Sequence, residues 1–201
     1  MSGCDNDLPE PMTPRLELAV RSTDRGHEAA TRLSGPGRTS VVELDLADLD
    51  NVAEGASAIR DRVDLLTGLI CNAGVMGGPL RRSAQGFELQ MATNHLGHAA
   101  LIAGLWPLLE ASASRIVLLT SNEGRRGRLL RDMTREDLLD PVPYDDKQVY
   151  RNTKQANLLF AQELHRRCTQ TSTPVTAVAA HPSPSRSSGP RSTPAPRHRP
   201  A

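Results

Sequence analysis

Five short apolar runs alternate with segments of helical period, and this alternation narrows the fold more than any other property of the chain. Residues 16–20, 41–44, 65–71, 115–120 and 174–180 read as strands, each apolar and bounded by polar or glycine-containing turns. Between them, Asp24 is placed to cap a helix through Leu33, before the break at Gly35-Pro36-Gly37. Asp48 opens a second amphipathic segment with Val52, Ala56 and Ile59 on one face. A long helix is expected over 87–109, with Pro107 near its end, and Val149, Thr153, Ala156, Phe160 and Leu164 recur at helical spacing in the last one. Parallel neighbours in a sheet need a crossover between them, so strand–helix–strand repeats predict an α/β domain built on a doubly wound parallel sheet.

Composition sets the materials for that core and excludes other classes. The chain has 201 residues, 38% of them hydrophobic but only 2% aromatic, so Leu, Val, Ile and Ala must fill the interior. Its net charge of +1 gives no overall field toward an acidic partner. Three scattered cysteines, Cys4, Cys71 and Cys168, form neither a disulfide framework nor a metal site, and no metal is expected. A reducing cytoplasmic location fits this cysteine usage. The opening MSGCDNDLPEPMTPR is not a signal peptide, and no run approaches the ~20 apolar residues of a membrane span. Residues 1–15 read as a disordered polar lead. From Pro182 the composition shifts to PSPSRSSGPRSTPAPRHRPA, with six prolines, four arginines and no acid, which predicts a disordered tail over 182–201. Four arginines broken by prolines, without aromatics to stack bases, do not make a nucleic-acid site.

In an alternating α/β domain ligands bind beyond the carboxyl ends of the strands, which directs attention to four places there and to one pair on the last helix. Arg21 follows the first strand, where its planar fork suits a 2′-phosphate or simply the surface. Asp45 follows the second; a carboxylate there accepts from an adenine amino group or caps a helix. Asn72-Ala73-Gly74 after the third allows close backbone approach to a bound ring, and is equally an ordinary turn. Ser121, after the fourth, offers a hydroxyl to a carbonyl oxygen or serves as a cap. Tyr150 and Lys154, four apart on a helix, share one face. An ammonium beside a phenol favours the phenolate, as a proton donor or acceptor in alcohol oxidation requires, although the spacing also arises by chance. Lys147 and Lys154 are the only lysines in the chain.

Taken in order, VVELDLAD, CNAG, the TNHLGH around Asn94, TSNEG, YRNTK and QANLLFAQELHRR resemble the short-chain dehydrogenase/reductase family over residues 16–181. GFELQMATNHLGHAAL and YRNTKQANLLFAQEL are most similar to its branch of retinol dehydrogenase-like and protochlorophyllide reductase-like proteins. The resemblance implies a Rossmann-like NAD(P)-binding domain and hydride transfer between a nicotinamide cofactor and a small alcohol or carbonyl substrate. It implies Tyr150 as acid/base, Lys154 on the nicotinamide ribose, Ser121 polarising the carbonyl and Asn94 completing the tetrad through a water. The dinucleotide would lie across Asp45, Leu46, Asn72, Ala73 and Gly74, with Arg21 tilting the choice toward NADP(H) over NAD(H). Homodimers or homotetramers would form through the long helices.

The chain departs from that pattern twice. The family's opening strand and its Thr-Gly-x-x-x-Gly-x-Gly turn, which holds the pyrophosphate on a helix N-terminus, are not found before Leu16. At the other end, His181-Pro182 is followed by Ser183 rather than glycine, without an apolar lid for the substrate. The expectation is a partial Rossmann domain in which the strands at Leu16 and Val41 are separated from the strand at Leu65 unless they re-pair with it directly. The alternative reading is a non-catalytic, truncated family member that acts as an oligomerising or interaction protein or has no defined role.

Overall fold

Turn chemistry and residue period account for most element boundaries in the computed structural model, which describes residues 15–33, 38–129, 134, 136–137, 141 and 143–182. The lead up to residue 14 and the tail from 183 lie outside the described residues, and Arg15 already belongs to the first strand. The strands are β1 (Arg15–Val20), β2 (Arg38–Glu43), β3 (Gly68–Cys71), β4 (Arg115–Leu119) and β5 (Thr176–Ala180). The helices are α1 (Thr23–Thr31), α2 (Leu49–Arg60), α3 (Gly97–Ala111) and α4 (Asp146–Gln170).

All described strand pairs are parallel, but they form two sheets: β1 with β2, and β3–β4–β5. The expected separation of the first two strands from the third is thus what the fold shows. Between the sheets lies a slot of about 610 Å³, walled by β1 on one side and by Gly68, Leu69 and Ile70 on the other. Ile59 of α2 and His98, Leu101 and Leu105 of α3 also line it.

The core fills one side of the sheets. Val42 and Leu44 meet Val52, Ala56 and Ile59 of α2, then Leu101, Leu105 and Leu109 of α3, Ile116 and Leu118 of β4, and Ala161 and Cys168 of α4. The three-residue and four-residue repeats of α2 place its apolar side chains on this side, as the sequence predicts. On the opposite side α1 rests on β1 and β2, with Gly26 pressed against Val20 and Val41 so closely that a side chain there would collide. The three-stranded sheet is treated differently on its two faces. The register row Leu69–Ile116–Ala177 is covered, with Ile116 0% and Ala177 5% exposed, whereas the row Ile70–Val117–Val178 carries Ile70 at 69% and Val178 at 37%.

Two helices differ from the sequence reading. Asp24 lies in the first turn of α1 rather than at its cap; Ser22 is the N-cap residue, and Asp24 instead sets a negative charge near the helix N-terminus. The single helix expected over 87–109 is a short turn at Leu89–Met91, a π-helical turn at Ala92–Leu96, and then α3. Pro107 stands inside α3, where it removes one hydrogen bond from the carbonyl of Ala103; both residues are exposed, so water can satisfy that group.

Candidate active site

The first turns of α4 bring the site together. Asp145 caps this helix, its carboxylate accepting from the backbone N–H groups of Lys147 and Gln148 at 3.0 Å each. Tyr150 and Lys154 then follow on one face, with the Lys154 ammonium 5.7 Å from the centre of the Tyr150 ring. Lys154 Nζ donates to the Leu119 carbonyl at 3.1 Å, which fixes it at the carboxyl end of β4. One of its three donors is thereby used and two remain. Burial lowers the Lys154 pKa from its ordinary value, because the charged form loses water.

Ser121 is carried to the same rim by the turn after β4. It is the N-cap of a 3₁₀ turn, Asn122–Arg126, and its oxygen accepts a long 3.3 Å bond from the Glu123 N–H, leaving the hydroxyl proton free to donate. That turn is clamped onto α4. Gly124 lies against the Lys154 backbone with no room for a side chain, Thr120 Oγ1 donates to the Lys154 carbonyl at 2.7 Å, and Arg151 pairs with Glu123 at 2.8 Å. Further along, Asn152 Oδ1 accepts from the Arg128 N–H and Gln155 Oε1 from the Leu129 N–H. Residues 122–129 are therefore held against α4 while Arg125, Arg126 and Arg128 face outward and exposed; parts of the connection beyond 129 lie outside the described residues.

Asn72, Ala73 and Gly74 arrive from β3 and close the opposite wall. An ideal Cβ on Gly74 would sit 3.1 Å from Asn94 Oδ1 and 3.6 Å from Lys154 Nζ, so a side chain here would press on the Asn94 amide. Asn94, fully buried, pins the following residue from both sides: its Oδ1 accepts from the Val75 N–H at 2.7 Å and its Nδ2 donates to the Val75 carbonyl at 2.8 Å. Nδ2 also lies 3.1 Å from Thr153 Oγ1. The loop continues through Gly77 and Gly78, both at positive φ, where Gln90 Oε1 and Asp146 Oδ2 accept their N–H groups. Tyr150, Lys154, Asn94, Gly74 and the Ser121 turn are thus joined into one cluster.

Arg21, Asp45 and Leu46 lie apart from that cluster, at the ends of β1 and β2. Arg21 is exposed and unpaired among the described residues. Asp45 is half-buried; its Oδ1 accepts from the Ala47 N–H at 2.9 Å, so one oxygen caps the turn and the other is uncommitted. Leu46 is buried, its carbonyl in close contact with Gly97. Asn72 and Ala73 line the slot and lead directly into Gly74 of the Tyr150–Lys154 cluster, and so connect the two groups.

Several residues not singled out in the sequence hold this arrangement. Asn157 is buried, and its Nδ2 donates to the Asn94 carbonyl at 3.0 Å and to the Leu119 carbonyl at 3.1 Å, while its Oδ1 meets His95 Nδ1 at 3.0 Å. The Asn94 carbonyl also accepts from His98 Nδ1 at 3.1 Å. Burial drives the His98 pKa down to about 4, assisted by the charges of Lys154 and His95, so this imidazole is neutral near pH 7. Glu88, also buried, accepts from the Met91 N–H and from the Tyr144 hydroxyl. Asn157 falls seven residues after Tyr150, and that helical spacing was the available signal.

The residues present fit the two ends of a dinucleotide better than its middle. Two free Lys154 donors beside a glycine turn suit a ribose and ring, and an exposed Arg21 beside Asp45 suits the adenosine end. Among the described residues no glycine-rich turn at a helix N-terminus stands between them to hold a pyrophosphate.

Comparison with known proteins agrees with this architecture. The family model described as enoyl-(acyl carrier protein) reductase matches residues 15–132. The chain is 40% identical over 176 residues to the bovine (Bos taurus) dehydrogenase/reductase SDR family member 13, covering 85% of this chain and 45% of that protein. It is 36% identical over 182 residues to mouse (Mus musculus) retinol dehydrogenase 14, covering 84% and 53%. An uncharacterised protein of known structure from Mycobacterium paratuberculosis superposes with a TM-score of 0.73 at 40% identity, covering 84% of this chain and 59% of that one. The chain thus spans about half the length of the curated relatives it matches. Matched residues, parallel topology and the Tyr150–Lys154 cluster together make this chain a member of the short-chain dehydrogenase/reductase family.

Proposed function

We propose that this chain carries the proton-transfer half of an NAD(P)-dependent oxidoreductase site acting on a small alcohol or carbonyl compound. The observation that carries the reading is the Lys154 ammonium held at the end of β4, 5.7 Å from the centre of the Tyr150 ring, with the Gly74 turn on one side and the turn that follows β4, which begins with Ser121, clamped onto its helix on the other. In this reading Tyr150 exchanges the proton of the substrate oxygen, Ser121 donates to that oxygen, and Lys154 holds the nicotinamide ribose with its two uncommitted donors. A nicotinamide cofactor supplies the hydride when bound. Asn94 acts on position: its amide holds Val75 and its carbonyl is taken by Asn157 and His98, so the Gly74 turn stays against Lys154. Asp45, Leu46, Asn72 and Ala73 line the path of the dinucleotide, and Arg21 favours the 2′-phosphate of NADP(H).

Titration of the purified chain with NADPH and NADH by calorimetry tests the reading, followed by turnover of carbonyl substrates. Saturable binding is expected, tighter for NADPH, with the preference abolished in Arg21→Ala and turnover lost at least a hundredfold in Tyr150→Phe. A folded chain that binds neither nucleotide would remove the enzymatic reading. The split sheet favours the second reading, a non-catalytic interaction protein, and in that case the chain oligomerises equally well with Tyr150→Phe.

The groove of about 480 Å³ between α3 and α4, lined by Ile102, Trp106, Phe160 and Leu164, supports pairing of two or four copies through these helices. Sedimentation of Trp106→Glu against the parent chain checks this. No helix of the described residues is long and apolar enough to cross a membrane. A cytoplasmic location remains part of the proposal, tested by fractionation.

A further inference from the structure

One buried amide on α4 reaches two main-chain carbonyls of the site and stands one helical turn from the lysine at its centre. Asn157 is 1% exposed and lies on the same side of α4 as Lys154. Its Nδ2 carries two protons and has two carbonyl acceptors, Asn94 at 3.0 Å and Leu119 at 3.1 Å, while Oδ1 faces His95 Nδ1 at 3.0 Å. Turned over, the amide would set its oxygen against two carbonyl oxygens with no proton between them, so its orientation is fixed by chemistry. His95 is in turn braced edge-on against Phe160, with ring centres 5.7 Å apart.

The Leu119 carbonyl is thus shared. Lys154 Nζ donates to it at 3.1 Å, longer than the roughly 2.7–2.9 Å of a strong charge-assisted bond, and Asn157 takes the other lone pair. The Asn94 carbonyl is filled as well, by Asn157 and His98 Nδ1. Neither oxygen has a lone pair left for a second ammonium proton, although a buried charge is stabilised by each acceptor it finds. We propose that Asn157 is a positioning residue for Lys154: by occupying the second lone pair of the Leu119 carbonyl and one of the Asn94 carbonyl, it denies the ammonium a closer hold on the protein and keeps two of its donors for a ligand at the Gly74 turn. The identity of that ligand, a ribose, rests on the oxidoreductase reading; the hold on Lys154 is a property of the chain alone. Without the amide, the Leu119 carbonyl is left wholly to Lys154, the protonated form gains, and the lysine titrates closer to its ordinary value. The titratable groups around it are Tyr150, His98, His95 behind Asn157, and Glu123, which is paired with Arg151 on the turn after β4. Both imidazoles are neutral in alkaline solution, because burial lowers their pKa values, and Tyr150→Phe removes the phenol.

Lys147 and Lys154 are the only lysines, so the full chain labelled with carbon-13 at lysine Cε gives two signals, assigned through Lys147→Arg. A pH titration in the Tyr150→Phe background then reads Lys154 without cofactor or turnover. Asn157→Leu, which keeps the branching of the side chain and removes its polarity, should raise the Lys154 midpoint by about half a pH unit or more. Leu105→Ala, a loss of stability away from the amide, should leave that midpoint in place. In the parent chain both Asn157 amide protons should exchange slowly with solvent, a measurement that needs no substitution. With Tyr150 restored, Asn157→Leu should weaken NADPH binding about tenfold and raise KM for the nucleotide more than it lowers kcat. The proposal is overturned by an unmoved Lys154 midpoint in Asn157→Leu, by an equal rise in Leu105→Ala, or by unchanged NADPH affinity where the parent binds it. Fast exchange of the parent's Asn157 amide protons also overturns it, and decides the matter if Asn157→Leu does not fold. A raised midpoint in a chain that binds no nucleotide removes the oxidoreductase reading and leaves the hold on Lys154 standing.

Discussion

Buried polar side chains decide the shape of the site, and they are the residues whose removal or protonation has the sharpest consequences. His98 takes up a proton near pH 6.5 when unfolded but resists it to about 4 when folded. Between those values the unfolded state binds more protons, so stability falls as pH drops from 6.5 toward 4 and is independent of this group above 6.5. The difference corresponds to roughly 3 kcal/mol at full extent, and His95, also lowered by burial, acts in the same sense. Urea unfolding between pH 4 and 8 should show this decline, and His98→Gln, which keeps a donor for the Asn94 carbonyl, should flatten it. Asn157→Ala is expected to cost about 2–4 kcal/mol, because it leaves His95 without its partner and withdraws a donor from the carbonyls of Asn94 and Leu119; chemical denaturation measures that loss directly. Tyr150, Lys154 and Ser121 were legible because their chemistry is written in residue type and spacing. Asn157 was not, since an amide becomes structural only through partners 38 to 63 positions away in the chain.

At the scale of single elements, apolar period located the five described strands and α1 to α4, while their ends depended on capping and pairing. The period of α4 is visible from Val149, but the helix begins at Asp146, because Asp145 satisfies the N–H groups of Lys147 and Gln148. Asp145→Ala should therefore cost about 1 kcal/mol, read from the denaturation midpoint, and should loosen the Tyr150 turn before the rest of the helix in hydrogen exchange. β3 covers only Gly68–Cys71, not the longer run expected from 65, because pairing with β4 sets its length; of the preceding leucines, Leu66 packs against the core and Leu65 is exposed. The π-turn at Ala92–Leu96 had no counterpart in the apolar pattern. It coincides with the Asn94 carbonyl being shared between His98, four residues on, and Asn157 of α4, the second a bond that only the assembled helices can make. The glycines behaved likewise: Gly97 admits no side chain because the Leu46 carbonyl lies against it, a contact between elements that no local pattern announces.

Across the whole molecule, burial is distributed unequally between the two sheets, and that inequality predicts how the chain opens. Leu105, Leu109, Ile116 and Leu118 have no exposed surface, and they tie α3 to β4. In β1, by contrast, every residue keeps some exposure, and α1 buries only Gly26. β1 has one hydrogen-bonded neighbour, so its amides facing the slot gain nothing from pairing. Local opening free energies follow buried apolar contact and backbone pairing, so β1 and α1 should exchange by an opening well below the global one. Amides of β4 and α3 should exchange only through global unfolding. Leu105→Ala should lower the global tier by about 2–5 kcal/mol while leaving exchange of α1 nearly unchanged. Leu16→Ala, at a half-exposed position of β1, should do the reverse, accelerating β1 and α1 alone. Residue-resolved hydrogen exchange in low denaturant separates the two cases. A single tier, with β1 and β4 amides responding equally to both substitutions, would mean that the two sheets unfold as one unit and that the slot does not weaken their coupling.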